Sequence, residues 1–290
     1  MKETLKNLSI ALLIILIIIK RPVLIEAIIS AINIWLYSVF PAIFPFLMIS
    51  DLILSSNLIN IITYYLSPVF NHLFKVSGYG AYVFMMSLIS GTPSNAKYVK
   101  DLLDNNLINY DEAVKILSMS LLYNPLLILA ITSFLKPKDQ LLVILLNILI
   151  NLIIGICNRN INCNFQKRIP MIPKKFNLIN SISNTINTLL LILGAIVLYA
   201  SLASLLPIYH PLLVGSLEIV SGLTSIEIIH NYHHALLFTG ILMAFGGLSI
   251  QTQIKSILKD YPLEYSLFYK SRIIHLILFI ILIKIYFLII

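Results

Sequence analysis

Ala81-Tyr82-Val83-Phe84-Met85-Met86-Ser87-Leu88-Ile89-Ser90-Gly91-Thr92-Pro93-Ser94-Asn95-Ala96-Lys97 is the stretch whose reading decides the fold. Its apolar part, 81–89, is about half of the ~20 residues a helix needs to cross a bilayer. It ends in glycine, threonine and proline. Pro93 lacks the N–H to continue a helix but suits the first turn of a new one, and Thr92 stands where an N-cap belongs. A helix that begins inside a membrane points free N–H groups and the positive end of its dipole at whatever fills the space, which suits an anion. Lys97, one turn on, adds a full charge, and Ser94 and Asn95 add donors. The alternative is an ordinary loop between a hydrophobic helix and a surface helix.

The sequence around this stretch is that of a membrane protein. Of 290 residues, 59% are hydrophobic and 11% are charged, against about 25% charged in a soluble domain. Apolar runs at 8–19, 39–54, 121–134, 141–156, 189–206, 235–245 and 273–290 point to an all-α polytopic membrane domain over 1–290. Full spans are expected at 5–22, 31–56, 112–135, 139–157, 181–206 and 268–290, with hairpins or broken helices at 58–105 and 211–258. Lys2 and Lys6 before the first run, and Lys20-Arg21-Pro22 after it, resemble a signal peptide. No small-x-small cleavage site follows, so the run is read as an uncleaved helix. The net charge is +8. No acid lies between Gln140 and Leu217, whereas Arg159, Lys167, Arg168, Lys174 and Lys175 cluster in one loop. The positive-inside rule places that loop, 158–177, in the cytoplasm. It is not read as a nucleic-acid surface. Cys157 and Cys163 flank a polar loop and need not pair.

The loop divides a first half, about 23–157, from a second, about 178–290, and the two resemble each other at an offset near 155 residues. Ala31-Ile32-Asn33-Ile34 corresponds to Thr185-Ile186-Asn187-Thr188. Ile89-Ser90-Gly91-Thr92-Pro93 corresponds to Phe245-Gly246-Gly247-Leu248-Ser249. Three crossings separate equivalent points, so the repeat would be inverted, with Lys136, Lys138, Lys255 and Lys259 facing outward. Repeated transporters place broken helices at equivalent positions, where unwound backbone serves a ligand.

Further candidates follow from depth in the membrane. Asn124-Pro125 lies inside an apolar run; it either opens the helix to a substrate or only kinks it. On the first reading Pro125→Ala straightens the helix. Gly246 and Gly247 precede Ser249, Gln251 and Gln253, and serve either a second broken helix or close packing. Glu218 could take a coupling proton or cation, pair with Lys97 or Arg272, or sit at the interface. Asp51 reads as interfacial. Lys97→Ala is expected to weaken anion binding and Lys115→Ala is not. His230, His233 and His234 lack a carboxylate or thiolate partner for zinc. No hydrolase or P-loop motif is present, so neither enzyme nor cofactor is expected.

At these segments, from about Trp35 onward, the chain resembles the YlbJ family of sporulation integral membrane proteins, relatives of the nucleoside-recognition (Gate) domain. Phe44-Pro45-Phe46 matches the family's Phe-Pro-Phe. Gly91, Pro93, Ala96 and Lys97 match its Gly-Tyr-Pro-x-Gly-Ala-Lys, with Thr92 and Asn95 departing. Leu217-Glu218 with Gly222 resembles its Leu-Leu-Glu-x-x-x-Gly. Phe245 to Ser249 match Phe-Gly-Gly-Leu-Ser, and Gln253 and Arg272 fall at matching places. The resemblance implies a multi-pass cell-membrane protein of sporulation, with the forespore membrane as a candidate location. It also implies movement of dipicolinate, a small aromatic dicarboxylate. The expectation is therefore a transporter of a small anion, in the lipid bilayer, with a homo-oligomer left open. A non-transporting sporulation scaffold or assembly factor is the alternative, and an intramembrane enzyme a distant third.

Overall fold

Lys20 turns the chain, and Pro22 opens the next helix. The computed structural model describes residues 2–161 and 175–289, and every regular element among them is helical. Helix α1 is Lys2–Ile19; α2 (Arg21–Ile34) runs through a π-helical turn, Trp35–Val39, into α3 (Phe40–Leu54). Together α2 and α3 make one 34-residue candidate span. The expected boundaries 5–22 and 31–56 therefore shift, because a proline in a helix's first turn removes a donor that would have no partner. Pro41 and Pro45 each lack an N–H, and the wide π turn just before them bends the ladder where those donors are missing.

The described ends of the basic loop define one face of the molecule. Lys75 donates to Asn160 Oδ1 at 3.2 Å, and Ser77 N–H donates to Glu112 Oε1 at 2.6 Å. Both ends of α4 (Leu58–Phe74) lie at that face, since it starts just after α3 and finishes beside Asn160. It meets α5 (Gly78–Ser90) at 97°. Helix α5 then climbs inward for 13 residues, about 20 Å. The chain turns at Gly91, and α6 (Ser94–Asp104) returns to the same face, where Asp104 accepts from Tyr261. The run at 81–97 is thus the tip of a re-entrant hairpin.

Helices α7 (Tyr110–Met119) and α8 (Pro125–Ile131) replace the continuous span expected at 112–135. Pro125 has no N–H to bond back, and the Asn124 carboxamide caps the new start by accepting from Leu126 N–H at 2.9 Å and Leu127 N–H at 3.2 Å. Helix α9 (Pro137–Cys157) crosses back to the basic-loop face, and α10 (Leu178–Ser204) crosses away from it. On the far face α11 (Pro211–Leu217) and α12 (Ile219–Ser225) form a second hairpin. Its arms press so closely that a Cβ on Gly222 would lie 2.1 Å from Gly215 Cα.

Helices α13 (Tyr232–Phe245) and α14 (Gly247–Ile257) make a span interrupted at Gly246, and α15 (Ser266–Ile289) crosses once more. Because α13–α14 crosses completely, Lys255 and Lys259 lie with Tyr261 on the basic-loop face. They do not face outward with Lys136 and Lys138, as the sequence had implied. Large apolar side chains such as Leu126, Ile179 and Leu288 are fully exposed on the outer surface, the arrangement that lipid requires.

Candidate functional site

Four interruptions of helix converge. They are the α5–α6 tip at Gly91–Pro93, the unwound 120–124 segment between α7 and α8, the α11–α12 tip at Glu218, and the α13–α14 break at Gly246. Gly91 takes φ 78° and ψ 175°, backbone values open almost solely to glycine. A Cβ there would sit 2.5 Å from Asn124 N. Thr92 N–H donates to Leu122 O at 2.7 Å, and Asn95 Nδ2 donates to Ser120 Oγ at 3.4 Å. From the other side, the Tyr123 hydroxyl donates to Met243 O at 2.8 Å. The unwound segment therefore joins both halves, with α6 packed on α14.

Three of these interruptions, with α14 just beyond the fourth, line a small, partly open cavity of about 40 Å³. Its polar lining is Thr92, Tyr123, Glu218 and Gln253; Pro93, Ile192, Ile196 and Ile250 are among its apolar walls. Glu218 is 1% exposed. Its carboxylate accepts from Val220 N–H at 3.2 Å and Ser221 N–H at 2.7 Å, capping α12. It pairs with neither Lys97 nor Arg272. Gln253 donates to Ser249 Oγ at 2.8 Å, which orients its amide, while Gln251 turns back to Phe245 O at 3.3 Å.

Lys97 does not line this cavity. Its ammonium lies 3.1 Å from Asp51 Oδ1 and 2.5 Å from Asp101 Oδ2, and Ser181 of α10 donates to the second oxygen of Asp51 at 2.6 Å. These groups border a separate groove of about 250 Å³, opening to the basic-loop face beside Asp104, Lys175, Asn180 and Asn184. Asp51 is thus not simply interfacial. The i, i+4 spacing of Lys97 and Asp101 was the available signal for this cluster. The partnership with Asp51 and Ser181 joins distant segments and had none.

Arg272 does not line this cavity and is 3% exposed. It donates to Ser118 O at 2.7 Å and Asn151 Oδ1 at 3.2 Å. Among the described residues it has no carboxylate partner. Gln140, Asn147 and Asn151 of α9 and Asn158 just past its end share one helical face and are all buried. This ladder of amides runs along the inside of the span. Ser94 Oγ and the Arg272 Nε are buried with no hydrogen-bond partner among the described residues. Lys115, expected to be inert, is buried and holds Arg159 O at 3.0 Å and Ile161 O at 3.3 Å.

The sporulation integral membrane protein YlbJ of Bacillus subtilis (strain 168) is 25% identical to this chain over 302 aligned positions, covering 86% of the chain and 74% of the relative. The chain is YlbJ-like. Among the described residues five helices are long and apolar enough to cross a membrane, and with this integral membrane relative they make the chain a multi-pass membrane protein. No protein-family model matches the YlbJ-like chain, and no solved structure matches it.

Proposed function

We propose that the chain is a membrane transporter, not an enzyme, and that it moves a small carboxylate-bearing molecule past the cavity between the four interruptions. The observation that carries this reading is the convergence itself. Each interruption gives up helical hydrogen bonds where lipid offers none in return, and irregular backbone at that depth serves cavities. Dissolving such bonds four times around one space is costly unless that space has an occupant.

The charge of the occupant is read from Arg272. An ammonium or guanidinium taken out of water costs several kcal/mol unless an opposite charge meets it, and its present acceptors are all neutral. A substrate carboxylate that reaches Arg272 would supply the missing charge. The Gln253 amide lines the cavity and has a second N–H, beyond the one given to Ser249, to donate to it. Glu218 carries a charge of the wrong sign, but its oxygens are already held by the start of α12. Dipicolinate, which the family resemblance brings in, is the first compound to test.

Calorimetric titration of purified protein with dipicolinate and with its uncharged diamide tests this reading. Binding of the diacid alone is expected, weakened at least about tenfold, or 1.4 kcal/mol, by Arg272→Gln. Equal binding of acid and diamide, or an Arg272→Gln protein that binds as the parent does, overturns the anion assignment.

A further inference from the structure

The groove at the basic-loop face and the cavity are lined by the same faces of the same helices. On α3, Ile43 faces the cavity and Asp51 the groove, with Leu47 between them at successive turns. On α10, Ile192 faces the cavity and Ser181 the groove, with Thr185 and Leu189 between. At the hairpin, Pro93 borders the cavity, and Lys97, one turn later, the groove. Leu47, Thr185 and Leu189 are fully buried, so they plug the interval. Eight residues of α3 separate the two spaces, about 12 Å.

We infer that the groove is the entrance vestibule of the path and that the Asp51–Lys97–Asp101–Ser181 cluster, backed by Leu47 and Leu189, is its gate. The inference rests on the transport reading. The cluster ties three elements into one plug: α3, the α5–α6 hairpin and α10. Two carboxylates share one ammonium, so the closed gate carries net negative charge and turns an anion away. Opening requires Lys97 to leave at least one aspartate, which frees its ammonium toward the entering anion. The ion pair is then the lock, and Lys97 its moving part. Buried ion pairs of this kind hold one arrangement firmly and come apart as a unit when a partner is lost.

Cysteine accessibility tests this without any substrate. In a Cys157→Ser, Cys163→Ser background, Asn184→Cys reports the vestibule and Ile192→Cys the cavity. The probe is a membrane-impermeant cationic methanethiosulfonate applied from the basic-loop face. Asn184→Cys is expected to react freely. Ile192→Cys should react at least about tenfold more slowly, as for a site exposed only in a minor state. Lys97→Gln, or Leu47→Ala should that variant not fold, should raise the Ile192→Cys rate about tenfold and leave the Asn184→Cys rate alone. An Ile192→Cys rate equal to that of Asn184→Cys in the parent, or unmoved by both variants, overturns the gate. Because labelling needs no transport, a gated label without uptake counts against the transport reading alone. Uptake without gating counts against the gate alone.

Discussion

Replacing Gly91 with alanine tests the backbone geometry on which the site depends. The residue's φ of 78° with ψ of 175° costs a non-glycine residue about 1–3 kcal/mol. The new methyl group would also stand 2.5 Å from Asn124 N. That neighbour is backbone, held by the α8 cap, and cannot swing aside as a flexible side chain could. Relief must come from moving the hairpin tip away from the 120–124 segment. The Thr92 N–H to Leu122 O bond of 2.7 Å would be stretched, at about 1 kcal/mol. The sum is about 2–4 kcal/mol, a fall in Tm of roughly 3–7 °C for a chain of this size. Gly194→Ala provides the opposite sign. That glycine lies inside α10 with nothing within 4 Å of a new Cβ, so alanine should stabilise by about 0.5–1 kcal/mol. Melting curves in one detergent, followed by the fluorescence of Trp35 and the tyrosines, compare the three proteins. A Gly91→Ala protein melting at or above the parent would refute the strained, tightly packed tip.

Asn124→Ala should lower stability by about 1 kcal/mol through loss of the α8 cap. Pro125→Ala should stay within about 0.5 kcal/mol of the parent, because at a helix's first position the restored N–H has no partner and the helix does not straighten; the same melts decide both. Lys115→Ala should cost about 1.5–3 kcal/mol, the range for a charged donor to buried carbonyls, so Lys100→Ala is the better inert comparison for Lys97. Tyr286→Phe removes one of two hydroxyls donated to Asp139 and should cost about 1 kcal/mol, measurable as loosening of α15 in hydrogen exchange.

Membrane embedding and the special character of Gly91–Lys97 were legible because both depend on local facts. Run length against bilayer thickness sets the one, and a proline after a half-length apolar run sets the other. The break at Asn124 was also visible, though as a kink within a span, because a sequence pattern does not distinguish a capped restart from a bent continuation. The role of Lys97 was misjudged for a different reason. Its position one turn into a helix is local, but its partner Asp51 lies 46 positions away in sequence, and Ser181, which holds Asp51, a further 130 from that aspartate, so the three meet only once α3 and α10 pack. Glu218 was singled out as an acid with an interfacial reading left open, and its capping of its own helix start could have been read from Glu-Ile-Val-Ser, an acid preceding a new helix. Tyr123 was missed outright. Nothing marks a tyrosine in an apolar run until the opposing α13 carbonyl is in place.

The most direct measurement is uptake of labelled dipicolinate by liposomes carrying the purified protein, against protein-free liposomes and against liposomes carrying Arg272→Gln at matched density. Uptake that saturates in the parent, exceeds the protein-free rate and falls at least about tenfold in the variant, in proportion to a lost charge partner, is the predicted result. Parent liposomes no faster than empty ones, for dipicolinate and for simpler mono- and dicarboxylates alike, would contradict the account.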